Sequence, residues 1–235
     1  MTSNYPSIPN KRIVLSNTCR YCDAILLKNG FQNGRQRLKC KNCSKNSQES
    51  YSYKSYYTGT NRILVALLKE GCGVLSIARV LGISKNTVLK RIILLGDTSL
   101  KPNFFPQNQT FQMDEMCVII NRKKPRFWIA YAIDKASGTV VDVRVGKRDK
   151  NTVAPVVKSI LTHKPKRIYT DGLNIYPSLI PKEIHRVFKY GTNKIERHNL
   201  TIRTHVKRLA RKTICYSKSS IHLEAHLKIY FWYDL

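Results

Sequence analysis

Acidic residues are scarce in this sequence. Its 235 residues include 14 Asp and Glu against 42 Lys and Arg, and the formal net charge of +28 is spread over both halves of the chain. So large an excess of positive charge is typical of proteins that bind a polyanion, and we expect that polyanion to be nucleic acid. A merely basic or ribosome-associated protein is the alternative that composition leaves open.

Long apolar runs are also missing. A membrane-spanning helix needs ~20 consecutive apolar residues, whereas the longest apolar stretch here, FWIAYAI at residues 127–133, has the length of a strand. The polar start, MTSNYPSIPNK, lacks the apolar segment of a secretory signal. We therefore expect no membrane partner and a location in the cytoplasm, where cysteines stay reduced and paired cysteines suggest metal.

Four of the seven cysteines form two short pairs. Cys19 and Cys22 in CRYC, and Cys40 and Cys43 in CKNC, repeat the C-x2-C spacing. Each pair lets two thiolates converge from one turn, and four sulfur atoms complete a closed tetrahedral Zn²⁺ site. Asn-Gly turn signals separate short strand-like stretches between the pairs, so we predict a zinc ribbon over residues 15–48. A redox function of the two pairs is the alternative.

Residues 60–96 carry the pattern of three helices. Gly71 and Gly82 mark two helix ends, and Ser84 is a candidate N-cap of the third helix. Two short helices separated by a glycine predict a helix-turn-helix domain whose last helix enters the major groove, although a plain three-helix bundle shares this pattern. The residues expected to face DNA are Ser84, Lys85, Asn86, Thr87, Lys90 and Arg91. Their basic side chains are expected to contact phosphates, whereas Asn86 and Thr87 are expected to contact the edges of DNA bases.

Residues 108–235 have a different pattern. Three strand-like runs, TFQMDEMCVII, RFWIAYAID and TVVDVRVG, precede alternating helical and strand-like segments. This order predicts an α/β domain with a mixed sheet covered by helices. A long helix is predicted from Thr192, and an amphipathic helix is predicted near the C terminus. The face of the long helix that packs on the sheet is expected to contain Ile195, Ile202, Val206 and Leu209.

Three of the few carboxylates occupy positions suited to chemistry. Asp114 lies within the first strand run, Asp171 ends a strand in YTDG, and Glu196 lies on the opening turn of the long helix. Acids on strand ends and on a crossing helix can converge on two divalent cations, and Mg²⁺ suits all-oxygen ligands. A solvated surface charge is the alternative for each acid taken singly. Glu115 is expected to point to the opposite face of the strand from Asp114.

Seven basic residues surround Glu196 between residues 190 and 212. They are Lys194, Arg197, Arg203, Lys207, Arg208, Arg211 and Lys212. Glu196, Arg203 and Lys207 are expected to share one stripe of the helix, because steps of seven and four residues nearly close whole turns. An acid at one end of such a stripe would bind metal while the cations follow the DNA backbone.

At these residues the sequence resembles the transposases of the insertion-sequence-one family, which belong to the DDE group with a ribonuclease-H-like catalytic core. The resemblance covers nearly the whole chain, and its most specific block is IERHNLTIRTHVKRLARKT; the others are CRYC with CKNC, GCGVLSIARVLGISKNTVLKRI, MDE, WIAYAID and TDG. It implies that Asp114, Asp171 and Glu196 form a catalytic triad with Mg²⁺ or Mn²⁺. It also implies that Arg203 is the basic residue seven positions after the glutamate.

The resemblance further implies double-stranded DNA, both element ends and target, as the partner of a nucleoid-associated homo-oligomer, at least a dimer. Residues of the last helix expected to contact DNA are Arg197, His198, Asn199, Lys207, Arg208 and Arg211. For His198 and Asn199, positioning of Glu196 or plain helix packing are the alternatives. A domesticated DNA-binding regulator that uses the N-terminal modules, and a structure-selective nuclease with the same core, remain as alternative functions.

Overall fold

The computed structural model describes residues 13–14, 17–51, 54–57, 59–102, 105–121, 126–188, 190–211, 213 and 215–233. The outer limits of the predicted ribbon and catalytic core, Leu15 and Leu235, and the predicted base Lys212 lie outside these residues. The chain divides into two compact units, one of residues 1–61 with 81–83 and one of residues 62–80 with 84–235. None of the described helices has the length and apolar character that crossing a membrane requires.

The first unit contains two small antiparallel sheets. Its strands are β1 (Ile13–Val14), β2 (Leu26–Gln32), β3 (Arg35–Cys40), β4 (Asn46–Gln48) and β5 (Ser50–Tyr51), which form the sheets β2-β3-β4 and β1-β5. Asn33 and Gly34 both have positive φ, +50° and +71°, as a tight hairpin turn requires. The other Asn-Gly pair makes a bulge instead of a turn, because Gly30, at φ +69°, lies where the register of β2 shifts.

Three helices follow, as the sequence predicted. They are α1 (Thr60–Lys69), α2 (Val74–Leu81) and α3 (Lys85–Thr98). Gly71 and Gly82, with φ of +74° and +62°, follow the ends of α1 and α2. Ser84 caps α3, since its Oγ accepts a hydrogen bond from the backbone N–H of Thr87 over 3.1 Å. The assignment of these helices as a DNA-reading helix-turn-helix stays a prediction.

A mixed five-stranded sheet forms the centre of the second unit and confirms the predicted α/β class. Its strands are β6 (Thr110–Val118), β7 (Phe127–Asp134), β8 (Val140–Gly146), β9 (Arg167–Thr170) and β10 (His185–Val187), and its helices are α4 (Lys150–Leu161), α5 (Asn193–His205) and α6 (Ser220–Trp232). The strand order is β10-β9-β6-β7-β8. β6, β7 and β8 are antiparallel, whereas β9 is parallel to both β6 and β10.

Both faces of this sheet are covered. Along β7, Ile129, Tyr131 and Ile133 join the core on the side of α5 and α6, whereas Ala130 and Ala132 join the core on the side of α4. This alternation is the two-residue period of a β-strand. Side chains that share a parity on a strand therefore face the same helices, which decides where the acids of β6 point.

The predicted long helix is shorter than expected. α5 ends at His205, Val206 leaves the helical conformation with ψ +88°, and a 3-10 turn follows over Lys207–Leu209. Arg203 donates a hydrogen bond to the carbonyl oxygen of Leu209 over 3.0 Å, which ties this turn back to α5. The expected stripe of Glu196, Arg203 and Lys207 on one helix is therefore wrong for Lys207, although the predicted apolar residues are all buried.

The predicted amphipathic C-terminal helix is instead covered on two sides. α6 buries Leu223, Ala225, His226, Leu227 and Ile229, because it packs against both α3 and β8. Its approach to α3 is close: a Cβ added to Gly96 of α3 would lie 2.7 Å from Cα of Ala225. A single apolar stripe was the wrong expectation for a helix with partners on both sides.

Candidate active site

The two predicted catalytic aspartates belong to neighbouring parallel strands. β6 pairs with β9 up to Gln112 and Tyr169, and two residues further along each chain segment are Asp114 and Asp171. Continuation of the parallel register therefore brings these two residues side by side where β9 ends. Residues two apart share a face of a strand, so Asp114 follows the face of Gln112, which is the face of α5.

Gln112 fixes the start of α5 against β6. Its buried Oε1 accepts a hydrogen bond from the backbone N–H of Ile195 over 2.9 Å, and its Nε2 donates to the carbonyl oxygen of Gly191. These bonds position the first turn of α5, where exposed Glu196 accepts a hydrogen bond from the hydroxyl of Thr192 over 2.9 Å. Gln112 was not among the residues predicted from the sequence, where its signal is a polar residue between two apolar ones in a strand.

Asp114 is the most enclosed of the three acids. Its Oδ1 accepts from the N–H of Glu115 over 2.8 Å, and its Oδ2 accepts from Nδ2 of Asn199 over 2.7 Å. Burial raises the pKa of Asp114, these two donors oppose that rise, and the charges of Asp171 and Glu196 add to it. The three predicted acids therefore lie within electrostatic reach of one another.

The acids converge without closing to the separation of ligands on a single ion. Among the residues that the structure describes, only the four-cysteine cluster brings three or more potential ligands together with all ligand atoms within 4.8 Å. The donor set of Asp114, Asp171 and Glu196 nevertheless fits Mg²⁺, which prefers oxygen ligands and retains several waters. A cation among them would also offset the repulsion from Asp171 and Glu196, which adds to the rise that burial causes in the pKa of Asp114.

A fourth acid, Glu115, is buried beside the site. It faces away from α5, as predicted, and accepts hydrogen bonds from the hydroxyl of Tyr176 at Oε1 and from NH2 of Arg148 at Oε2, the latter over 3.3 Å. The same NH2 lies 3.4 Å from Oδ2 of Asp171. Burial is the main cause that raises the pKa of Glu115, and Asp171 and Asp114 add to the rise. Arg148 and Tyr176 were not predicted from the sequence, because they are 33 and 61 residues from Glu115 along the chain.

The predicted DNA-contacting residues of α5 and the following turn fall into two groups. Arg197, Lys207 and Arg211 are exposed, whereas Arg208 is half-buried. Arg203 donates to the carbonyl oxygens of Leu209 and Cys117, over 3.0 and 3.3 Å. Arg203 thus joins α5 to β6, and its predicted catalytic role stays a prediction.

His198 and Asn199 point into the protein. The ring of His198 lies 5.7 Å from that of Tyr131 and 5.9 Å from that of Phe231, and burial lowers its pKa. Asn199 binds Asp114, not Glu196, and accepts a hydrogen bond from the hydroxyl of Tyr131 over 2.8 Å. DNA contact by this pair stays a prediction, and the observed bonds favour positioning of an acid.

The predicted DNA-facing residues at the start of α3 are mostly accessible. Ser84, Lys85, Asn86 and Lys90 are exposed, whereas Thr87 and Arg91 are half-buried. The remaining side chains of α3 explain this orientation, because Val88, Ile92 and Leu95 form its buried face. The exposed face is therefore the one that the sequence assigned to DNA.

The four predicted zinc ligands lie together. Sγ of Cys19 is 3.6 Å from Sγ of Cys43, and Sγ of Cys22 is 3.4 Å from Sγ of Cys40. A tetrahedral Zn²⁺ with bonds of ~2.3 Å holds its sulfur atoms about 3.8 Å apart. The backbone N–H of Cys43 donates to Sγ of Cys40 and lowers the pKa of that thiol to about 6. This cluster fits the donor set of a zinc ribbon.

The fold and the site together define a class of protein. A mixed sheet covered by helices carries acids that converge where β9 ends beside the middle of β6, in a strongly basic chain. This arrangement is compatible with a ribonuclease-H-like core.

Comparisons with known proteins identify the family. The IS1 transposase family profile matches residues 110–233. The Insertion element iso-IS1n protein InsB of Shigella dysenteriae is 34% identical over 118 residues, which are 50% of this chain and 88% of that protein. The Insertion element IS1 2 protein InsB of Escherichia coli (strain K12) is 34% identical over 118 residues and 69% of its length. The chain belongs to the IS1 transposase family.

One solved structure is also similar, at a lower level. It is the cryo-EM structure of the simian T-cell lymphotropic virus intasome in complex with PP2A regulatory subunit B56 gamma, with 18% identity and a TM-score of 0.33. The match covers 57% of this chain and 55% of that chain.

Proposed function

We propose that this chain is a DNA transposase of the DDE type, which binds the terminal inverted repeats of an insertion sequence and cleaves and joins DNA strands. The observation that carries the proposal is the convergence of Asp114 and Asp171, on adjacent parallel strands, with Glu196 at the start of α5. Membership in the IS1 transposase family supports it. An acid that serves only as a solvated surface charge has no reason to lie near two others. Three acids that repel one another are instead typical of a functional site.

Asp114, Asp171 and Glu196 would hold two Mg²⁺ or Mn²⁺ ions in the active site. When bound, such ions activate a water or hydroxyl and stabilise the leaving oxygen of a phosphodiester. The protein contributes orientation: Asn199 holds Oδ2 of Asp114, and Gln112 fixes the turn that carries Glu196. These bonds set the acids before DNA arrives, so little reorganisation accompanies the reaction.

The proposed reaction has two steps at this one site. Water attacks the phosphodiester at the end of the element, which yields a 3′-hydroxyl and a 5′-phosphate. The 3′-hydroxyl then loses its proton and attacks a target phosphodiester, and the displaced target 3′-oxygen takes up a proton. The second step exchanges one phosphodiester for another, so it consumes no further cofactor.

Several basic groups would hold the DNA backbone. A cavity of about 320 Å³ is lined by Arg126, Arg203, Arg208 and Arg211. No acidic side chain is among its described lining residues, which suits it to a phosphate. With a net charge of +28, DNA affinity should fall steeply as salt is raised, because bound phosphates release counterions.

The remaining modules would select the element ends. The exposed residues of α3 would enter the major groove, and the cysteine cluster would bind one structural Zn²⁺ that stabilises the ribbon. Because two ends must be held together, we expect at least a dimer on DNA. This activity belongs on chromosomal DNA, in the cytoplasm and in association with the nucleoid.

The test compares three acid-to-amide variants with wild type on the element's own ends. Asp114→Asn, Asp171→Asn and Glu196→Gln should bind end DNA as wild type does, yet should give no detectable strand transfer with Mg²⁺. Glu183→Gln is the matched control, because Glu183 is an exposed acid before β10. Undiminished joining by a variant would remove that residue from the triad. End binding by wild type without any cleavage would favour the DNA-binding regulator, and cleavage without joining would favour the nuclease.

A further inference from the structure

Arg148 lies on a turn of fixed geometry next to the acids. It follows β8 and precedes Asp149, whose carboxylate caps α4 by accepting from the N–H and the hydroxyl of Thr152, both over 3.0 Å. Gly146 lets the chain pass close to Thr152, since a Cβ there would lie 2.2 Å from its hydroxyl oxygen. Local packing thus fixes the backbone that presents Arg148.

Three groups hold the Arg148 side chain. Its NH2 donates to Oε2 of Glu115 over 3.3 Å and to Oδ2 of Asp171 over 3.4 Å. Its guanidinium carbon lies 4.4 Å from the centre of the Trp128 ring, a cation–π contact that fixes the plane of the fork. Among the described residues, these bonds involve only NH2, so Nε and NH1 have no protein acceptor.

Glu115 holds Arg148 from a buried position, unlike the acid of an ordinary surface ion pair. Its side chain is 1% exposed, whereas that of Arg148 is 37% exposed. A buried carboxylate is costly unless it is paired and hydrogen-bonded, and Tyr176 and Arg148 together meet that need. The pairing places a half-exposed guanidinium, with donors to spare, beside the acid that ends β9.

We propose that Arg148 is a further catalytic residue, which binds the phosphate at the cleavage site while Glu115 acts as its positioning residue. This inference rests on the proposed transposase function. Asp171 would turn the carboxylate oxygen that Arg148 contacts towards a bound cation, whereas Glu115 and Trp128 would keep the guanidinium in place. The NH2 hydrogen that Asp171 gives up, together with the parallel N–H of Nε or of NH1, then matches two oxygens of a phosphate, a geometry that a lysine ammonium lacks.

The test measures coupling between Arg148 and one phosphate. End DNA is prepared in two forms, with the ordinary phosphate or with a neutral methylphosphonate at the cleavage site. Binding is followed by fluorescence anisotropy with Ca²⁺ in place of Mg²⁺, because the looser coordination of Ca²⁺ disfavours the reaction. Wild type, Arg148→Ala, Arg148→Lys and Glu115→Gln are compared with Arg167→Ala, an exposed arginine at the opposite end of β9.

A contact between Arg148 and the phosphate should affect the binding of DNA that carries the ordinary phosphate. Arg148→Ala should weaken binding of this DNA by about tenfold, the lower range for a charge-assisted hydrogen bond, and should change binding of the methylphosphonate DNA by less than about twofold. Arg148→Lys should recover part of the loss, and Glu115→Gln should reproduce part of it. Arg167→Ala should affect the two DNAs equally.

Equal losses on both DNAs for Arg148→Ala would overturn the proposal. Thermal unfolding of each variant detects a folding defect, which would weaken the binding of both DNAs to the same extent. If Arg148→Ala has such a defect, Arg148→Lys decides between the outcomes. Failure of the proposed function is separately visible, because wild type would then show no strand transfer on the unmodified ends. Wild-type joining together with unchanged joining by Arg148→Ala would sink the assignment of Arg148 alone.

Discussion

Asn199 donates a hydrogen bond from Nδ2 to Oδ2 of Asp114 over 2.7 Å, and the hydroxyl of Tyr131 donates to Oδ1 of the same amide over 2.8 Å. The second bond fixes which end of the amide faces the carboxylate, because a hydroxyl that donates needs the oxygen as its acceptor. α5 therefore controls the direction of an acid on β6. Residues that orient a metal ligand in this way commonly contribute 10–100-fold to activity.

Asn199→Ala tests this control. It should lower strand transfer by roughly 10–100-fold while end binding stays within about twofold of wild type. Strand-transfer rates and gel shifts on the same end DNA provide the two measurements. Thr201→Ala is the control, because the hydroxyl of this exposed α5 residue donates, within the described part of the chain, only to the carbonyl oxygen of Arg197. A loss of affinity that matches the loss of joining would instead support direct DNA contact by Asn199.

Removal of one thiol should empty the cysteine cluster. Wild type should contain one zinc per chain by elemental analysis, and Cys40→Ser should lose it together with end binding, because structural zinc supplies folding energy to a small ribbon. Cys215→Ser, a change at an exposed cysteine outside the cluster, should keep both. Full-length protein without zinc after expression in zinc-replete medium would contradict the assignment.

Gly96→Ala should destabilise the second unit. Alanine usually favours a helix over glycine by about 1 kcal/mol, but a Cβ at this position would lie 2.7 Å from Cα of Ala225. Overpacking of this kind costs about 1–3 kcal/mol, so the free energy of unfolding in urea should fall. Gly73→Ala is the matched control, because the added Cβ there would meet none of the described atoms within 4 Å apart from those of its chain neighbours. An unchanged or higher stability for Gly96→Ala would show that α6 can shift away.

His226 should make stability depend on pH. Burial within α6, with a smaller contribution from the charge of Arg208, lowers its pKa from 6.5 to about 3. The unfolded chain therefore takes up the proton first as pH falls, so its contribution to stability is complete above about pH 6.5 and is lost towards pH 3. The expected loss between pH 7 and 5 is about 2 kcal/mol.

The measurement is the difference between the free energies of unfolding in urea at pH 7 and at pH 5. The packing cost of a substitution is the same at both pH values, so it cancels in this difference. His226→Leu should remove most of the difference. His222→Gln, at a half-buried position one turn earlier in α6, should retain it. An equal pH dependence in His226→Leu would assign the effect to other groups.

The parts of this protein that local sequence determines were predictable. The C-x2-C spacing brought four thiols together, Ser84 capped α3, and the strand-like runs gave a mixed sheet. Asp171 was predicted at a strand end because glycine follows it. Each of these features depends on spacing or on neighbours in the chain.

The missed features depend on distant parts of the chain. Arg148 and Tyr176 acquire their roles only when strands and loops far apart in sequence meet, so no local pattern indicated them, and Gln112 had only the weak signal of a polar residue between two apolar ones. The end of α5 at His205 is not marked by a glycine or proline in the residues that follow. The two-sided burial of α6 follows from α3 and β8 packing on it together, which apolar periodicity in one segment does not reveal.

Because β6 and β9 pair in parallel, the distance between Asp114 and Asp171 in space does not depend on the number of residues between them in the chain. A register, not a loop length, sets how far Asp114 lies from Asp171, and the connection between them runs through β7, β8 and α4. The turn after α4, around His163 and Lys164, lies on this connection and precedes β9, whereas Asp171 follows the other end of that strand. Extra residues accommodated at that turn would lengthen the chain between the two carboxylates without moving either one, so relatives of different length can share one reaction centre.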